Sequence, residues 1–200
     1  MKRMYGILLA ALLLGGLAGC ANEAPASLSA PERAAQSAPA ASLPENEGVY
    51  TDEDGNEFHW RQTGASSMTV IGFANPNQNR VVTVPACIEG VPVRYLRTGS
   101  FEEHRELEQV VLQEGILTIG PRAFQNCENL RRLNLPSTCV NLDSGAFANT
   151  GFTEFTIPAQ VRGLGASLFL GCSHLTRVLV AGDRAEVWLD AVSAPALREV

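Results

Sequence analysis

From about residue 96 onward, the apolar positions of this chain recur every 22 or 23 residues. Phe101, Phe124, Phe147 and Phe169 stand 23, 23 and 22 residues apart. Leu96, Ile119, Leu142, Leu164 and Val187 form a second column, and Leu107, Leu130, Phe152, Leu175 and Leu197 a third. Val110, Leu133, Phe155, Val178 and Val200 make a fourth; Leu112, Leu135, Ile157 and Val180 make a fifth. A period of this size held by so many columns marks a solenoid, in which each unit buries its apolar side only by stacking on its neighbours. Within a unit, Leu130-Arg-Arg-Leu133-Asn-Leu135-Pro136 alternates apolar and polar positions, which predicts a strand that the proline ends. Phe152-Thr-Glu-Phe155-Thr-Ile157-Pro158 repeats it. A second arm runs from Ile119-Gly120 through Ala123-Phe124 to Cys127 and Leu130, with the glycine at a sharp corner and Ala-Phe where the chain turns inward. Each coil is therefore a strand, a corner, a short extended arm and a tight turn.

Ahead of the repeats, Asn56 to Arg61, Ser67 to Phe73 and Arg80 to Val84 are short strand candidates separated by Gly64-Ala-Ser-Ser and Asn75-Pro-Asn-Gln-Asn. Phe58, Trp60, Val70 and Phe73 supply their apolar side. A solenoid needs a terminal unit to cover its first coil. Residues 49–84 are accordingly expected to form an N-terminal β cap and first strand, and residues 85–200 a solenoid of about four coils.

The first 48 residues follow different rules. Lys2 and Arg3 precede an apolar run from Met4 to Leu17, which reads as a secretory signal over residues 1–19. Leu17-Ala18-Gly19-Cys20 resembles the lipobox of bacterial lipoproteins. That resemblance implies cleavage before Cys20, a diacylglyceryl thioether on its sulfur and an acylated amine, and so a protein anchored to a membrane rather than spanning it. Ala21 stands directly after Cys20, where one group of two-membrane bacteria uses Asp to hold lipoproteins on the inner membrane. Its presence points to the outer membrane or surface. Residues 20–48 are dominated by Ala, Pro, Ser and Glu, with Pro25, Pro31, Pro39 and Pro44 breaking any helix. Such composition buries too little to offset its ordering entropy and reads as a tether, reaching roughly 30 Å from the bilayer.

Charge narrows the partners. Removal of Lys2 and Arg3 leaves 13 arginines against 21 acids, a net charge near −8. That balance, without a basic run, argues against nucleic acid and against an electrostatic hold on anionic lipid.

The repeat residues resemble the BspA-type bacterial leucine-rich repeat family. Its pattern of Leu-x-x-[Ile/Val/Leu]-x-[Ile/Leu]-Pro, then [Ile/Leu]-Gly-x-x-Ala-Phe-x-x-Cys-x-x-Leu, is met from Leu107 to Leu130 and, with substitutions, from Leu130 to Leu175. Val82-Thr-Val84-Pro85 and Gly90-Val-Pro92-Val93 match its first strand and following turn. The resemblance implies a right-handed, β-rich leucine-rich repeat solenoid and, for some members, surface adhesion or binding of host proteins.

Candidate chemistry is sparse. In an oxidising compartment, Cys87, Cys127, Cys139 and Cys172 raise the question of disulfides. Cys127 and Cys172 lie in one column two coils apart, near 10 Å at about 4.8 Å per coil, beyond the roughly 7 Å reach of a bridge. Cys139 falls in the apolar column of Val93, Ile116 and Val161. The four are expected as buried free thiols acting as small hydrophobes. His104 beside Cys127 is the one pair resembling a nucleophile with its base, but it equally fits a column of turn residues. No phosphate loop, Ser-His-acid set or metal-ligand spacing is present in the sequence, so neither an enzyme, a cofactor nor a metal is expected.

The outward side chains of the strands are the better candidate surface. Glu108, Gln109, Arg131, Arg132, Glu154 and Arg177 lie in two adjacent columns, and in a parallel stack Arg132, Glu154 and Arg177 fall about 5 Å apart in a line. Such a ladder serves register, or else the face is a protein-binding strip. At the other end, Leu197-Arg-Glu-Val200 opens a further coil, whose strand edge is a candidate for self-association. The combined expectation is a lipid-anchored cell-envelope protein that presents a protein-binding, adhesive surface to an unknown protein ligand. The alternative is a structural envelope component that binds itself or another envelope protein.

Overall fold

The structure, a computed structural model, describes residues 46–64 and 66–181. The expected signal segment, Cys20, nearly all of the expected tether and the expected C-terminal coil from residue 182 lie outside the described residues.

Alternation becomes strand wherever it was expected. β1 (Glu47–Thr51), β2 (Glu57–Gln62) and β3 (Met68–Ala74) form an antiparallel meander. β4 (Val81–Val84) follows, then β5 (Cys87–Ile88), which turns back against β6 (Val91–Leu96). From there, each coil contributes one longer and one two-residue strand. These are β7 (Gln109–Leu112) and β8 (Thr118–Ile119), β9 (Arg132–Asn134) and β10 (Asn141–Leu142), β11 (Glu154–Ile157) and β12 (Gly163–Leu164), with β13 (Arg177–Val180) last. β1 starts two residues inside the segment expected as tether, because Tyr50 packs its ring 6.2 Å from Phe58 and gives the strand a reason to dock.

The meander does more than cover an end. β3 pairs in parallel with β6, so the antiparallel unit runs directly into the ladder β6-β8-β10-β12. On the other face, β4 pairs in parallel with β7, so Val81–Val84 already belongs to the stack. Counting that strand, the long-strand face comprises β4, β7, β9, β11 and β13, about five turns where the sequence columns lead one to expect about four.

The phenylalanine column is the spine of the core. Phe101, Phe124, Phe147 and Phe169 are wholly buried. Their rings stack in series at 5.0, 6.0 and 5.7 Å, and Phe73 extends the stack from the cap at 4.7 Å from Phe101. Offset stacking of this kind adds to the area each ring removes from water. The backbone keeps the same beat at the corner: Phe101 N–H donates to Ala123 O at 2.8 Å, Phe124 to Ala146 O at 2.9 Å, and Phe147 to Leu168 O at 3.0 Å.

Candidate protein-binding face

The outward positions of the long strands are exposed on one side of the stack, as the alternating burial of β11 and β13 illustrates. Glu108 accepts a 2.8 Å ion pair from Arg80 Nη1, and both side chains are well exposed. An exposed pair of this kind is worth about 0–1 kcal/mol. Gln109 sits in β7, in register between Val81 and Arg132. Arg131 and Arg132 are exposed at the start of β9. Glu154 is exposed in β11, in register with Arg177 of β13.

The expected line of Arg132, Glu154 and Arg177 is not formed. β9 and β11 are unpaired, which divides this face into a β4-β7-β9 sheet and a β11-β13 sheet. Arg132 and Glu154 are therefore not register neighbours, and no ion pair joins them. Two features of the fourth coil explain the division. The corner from Phe147 to Phe152 is five residues, whereas Phe101–Leu107, Phe124–Leu130 and Phe169–Leu175 are each six. In addition, Phe152 and Phe155 occupy the inward positions held one coil earlier by Leu130 and Leu133. Their rings lie 5.0 Å apart, with Phe155 also 5.0 Å from both Phe147 and Phe169. A shortened lead-in and two larger side chains hold β11 away from β9. Gly151 makes the short corner passable: a Cβ there would stand 2.4 Å from Glu128 O.

An open groove of about 710 Å³ lies at the division, lined by Arg131 to Leu135 with Gln109 to Val111 of β7 behind them, and on the other side by Phe152, Glu154 to Thr156 and Pro158. Leu133 and Leu135, unlike Val110, Leu112, Phe155 and Ile157 in the same columns, are only half-buried. Asn134 ends the β7–β9 ladder early: its side-chain amide accepts from Leu112 N–H and donates to Leu112 O, both at 3.0 Å.

His104 and Cys127 do not form a nucleophile–base pair. His104 Nδ1 lies 2.7 Å from Glu106 Oε1 and its Nε2 lies 3.1 Å from Phe73 O, so both ring nitrogens are committed to joining the cap to the stack. Burial would raise the Glu106 carboxyl, but hydrogen bonds from its backbone, His104 and Asn75 outweigh it and hold the group below its ordinary value. Cys127 is buried and donates to Phe101 O at 3.0 Å. Burial pushes its thiol up to about 12, and that of Cys139 up to about 11. These are the properties of packing groups, since the thiolate is the nucleophile. Cys127, Cys139 and Cys172 are free, as expected. Cys87 is disulfide-bonded, which corrects the expectation of four free thiols.

A stack of strand-and-corner turns of about 23 residues, with leucine and phenylalanine columns inside, defines a leucine-rich repeat solenoid. Residues 94–186 match the BspA type leucine rich repeat region in six copies, and the solenoid is of that family. Among solved structures, a leucine-rich repeat protein from Bacteroides capillosus is 21% identical, with a TM-score of 0.59, over 69% of this chain and 100% of that one. A leucine rich cell surface protein from Faecalibacterium prausnitzii is 20% identical, with a TM-score of 0.51, over 70% of this chain and 43% of that one. At these identities both likenesses speak to the fold. No curated protein sequence matches the chain.

Proposed function

We propose that this chain is an exported protein, anchored in the bacterial cell envelope by lipid on Cys20, whose solenoid presents a protein-binding face to the outside. The observation that carries the reading is the open strand face: Arg132, Asn134, Glu154, Thr156, Arg177 and Leu179 all point outward and are exposed. A stacked-repeat scaffold with an uncovered, mixed-charge sheet is suited to a protein partner. The similar Faecalibacterium protein is a cell surface protein, which is consistent with that setting. A cleavable signal, a lipobox and a proline-rich spacer together suit display of a small domain away from a bilayer.

Two measurements test it. Intact-mass analysis of the mature protein should find Cys20 as a lipidated N-terminus, and Cys20→Ser should accumulate as unprocessed precursor. A thioether withdraws that sulfur from disulfide chemistry, so the anchored protein must hold Cys87 as a free thiol or in a bond to another chain, and a non-reduced peptide map joining Cys20 to Cys87 would overturn the anchor. Crosslinking on intact cells through a photoreactive residue at Arg177 or Glu154 should trap a protein. Capture only from residues on the opposite, β8-β10-β12 side would move the interface elsewhere.

A further inference from the structure

The division of the long-strand face is more than an irregularity of stacking. Unpaired strands offer backbone donors and acceptors to another chain, and here two of them border one groove. The strands that border it, Arg132–Asn134 continued by Leu135 and Glu154–Ile157, each span four residues, which suits an extended segment of about 13 Å. Its volume of about 710 Å³ falls within the range of ligand sites. The half-buried Leu133 and Leu135 supply apolar floor. Charge identifies the occupant. Arg131 and Arg132 stand exposed on one wall, and neither side chain has a hydrogen bond or ion pair among the described residues. Arg80 and Arg105, by contrast, pair with Glu108 at 2.8 Å and Glu128 at 3.3 Å, and Glu154, the acid on the opposite wall, is in register with Arg177 of β13.

We infer that the groove between β9 and β11 takes an extended, acidic segment of the partner protein. The segment adds its backbone to an unpaired strand edge, sets apolar side chains on Leu133 and Leu135, and gives carboxylates to Arg131 and Arg132. This rests on the protein-binding reading above and names the chemistry of the bound partner.

The test uses the full chain in detergent and a labelled, end-blocked peptide of about six residues alternating Glu and Val, long enough to span the walls. A Lys-Val counterpart and heparin serve as rival probes. The acidic peptide should bind, the lysine peptide should not, and amides of 131–135 and 154–157 should gain protection from hydrogen exchange. Reversing both arginines, Arg131→Glu with Arg132→Glu, should weaken the acidic peptide by about tenfold or more. Because both are exposed, the double variant should fold, which its melting curve checks. Phe152→Leu, which narrows the groove while keeping its charges, should also weaken binding. The inference is overturned by no binding at millimolar peptide, by equal binding of the lysine peptide, or by indifference to charge reversal. Binding of heparin without protection of the strand edges would likewise replace the peptide with an acidic polysaccharide. If the charge-reversed chain still traps its protein partner on cells, this groove is wrong and the protein-binding reading stands. If no version of the chain traps a protein, that reading falls independently of the peptide result.

Discussion

The two faces of the solenoid are built from the same turns, yet only one of them is continuous. Along β6-β8-β10-β12, strands of two residues suffice for an unbroken ladder, with Ile119 in register with Leu142 and Leu142 with Leu164. On the opposite face the strands are longer, and the ladder stops between β9 and β11. Strand length does not decide continuity; the side chains and the corner that feed each strand do. The corner hydrogen bonds beside the phenylalanine spine repeat from coil to coil, as the short-strand ladder does. The long strands then take up whatever mismatch remains. A one-residue deletion and two extra aromatic rings fall on that side, and the face opens where the mismatch is greatest. If the open face binds a partner as proposed, stability and recognition are divided between the faces.

The sharpest way to break this picture is to remove the spine. Phe147 is wholly buried and touches Phe124, Phe152, Phe155 and Phe169 within 6.0 Å. Phe147→Ala should cost about 3–5 kcal/mol. With about five turns to share the loss, the stack should unfold cooperatively in a denaturant titration. A titration midpoint unchanged within error would mean that the spine is not what fixes the coils.

A smaller loss should follow from forcing the continuous face apart. Gly165 follows β12, and a Cβ there would lie 2.1 Å from Ser144 N and 2.4 Å from Asp143 C, both backbone atoms of the coil before. Backbone cannot step aside as a side chain can. Gly165→Ala should therefore cost about 1–3 kcal/mol, as overpacking does. Its hydrogen-exchange signature should be lost protection at Asp143 and Gly165, whose amides donate to Ile119 O and Leu142 O. Loss confined to β11 and β13 would contradict the division of roles.

Much of this was legible in the sequence, because solenoid columns tie identity, spacing and burial together. Phe101 to Phe169, Leu107 to Leu175 and Cys139 all sit where their columns put them. Column reasoning assumes that every coil stacks alike, however, and this hid the division. The expected Arg132–Glu154–Arg177 line presupposed perfect register. The signal against it was present: five residues from Phe147 to Phe152 instead of six, followed by Phe in place of Leu twice within four positions. β1 was hidden for another reason, since Glu47-Gly-Val-Tyr-Thr offers Tyr50 as its one large side chain to the core. The bond of Cys87 lies outside repeat logic altogether, because the columns constrain only residues within the stack.

Restoring the leucine pattern should sharpen the comparison at modest energetic cost. Phe152→Leu replaces one wedge residue by the side chain present at the same position in the preceding and following coils, Leu130 and Leu175. Hydrophobic exchanges of similar volume usually cost less than about 1.5 kcal/mol. The readout is the groove: amide protection at Arg132–Asn134 and Glu154–Ile157 should rise as the strands approach. Unchanged protection would place the cause of the division in the shortened corner alone, which insertion of one residue before Gly151 would then test.

The smallest expected effect is a gain, and it falls on the continuous side. Ser100 occupies the corner position filled by Ala123, Ala146 and Leu168 in later coils. It is 2% exposed, and its Oγ has no hydrogen-bond partner. A buried hydroxyl without a partner carries its desolvation cost uncompensated, whereas a methyl group at this site carries none. The neighbouring coils show that alanine fits, since Ala123 and Ala146 are wholly buried beside the same spine. Ser100→Ala should therefore stabilise the chain by about 1 kcal/mol, raising the melting temperature by roughly 2–4 °C. It should leave both protection at the groove and binding of the acidic peptide unchanged, because the substitution lies in the first corner and not on the divided face. A lowered melting temperature would show that the hydroxyl makes a bond that stabilises the first corner. Altered peptide binding would show that the two faces are coupled, and the division of stability from recognition would fail with it.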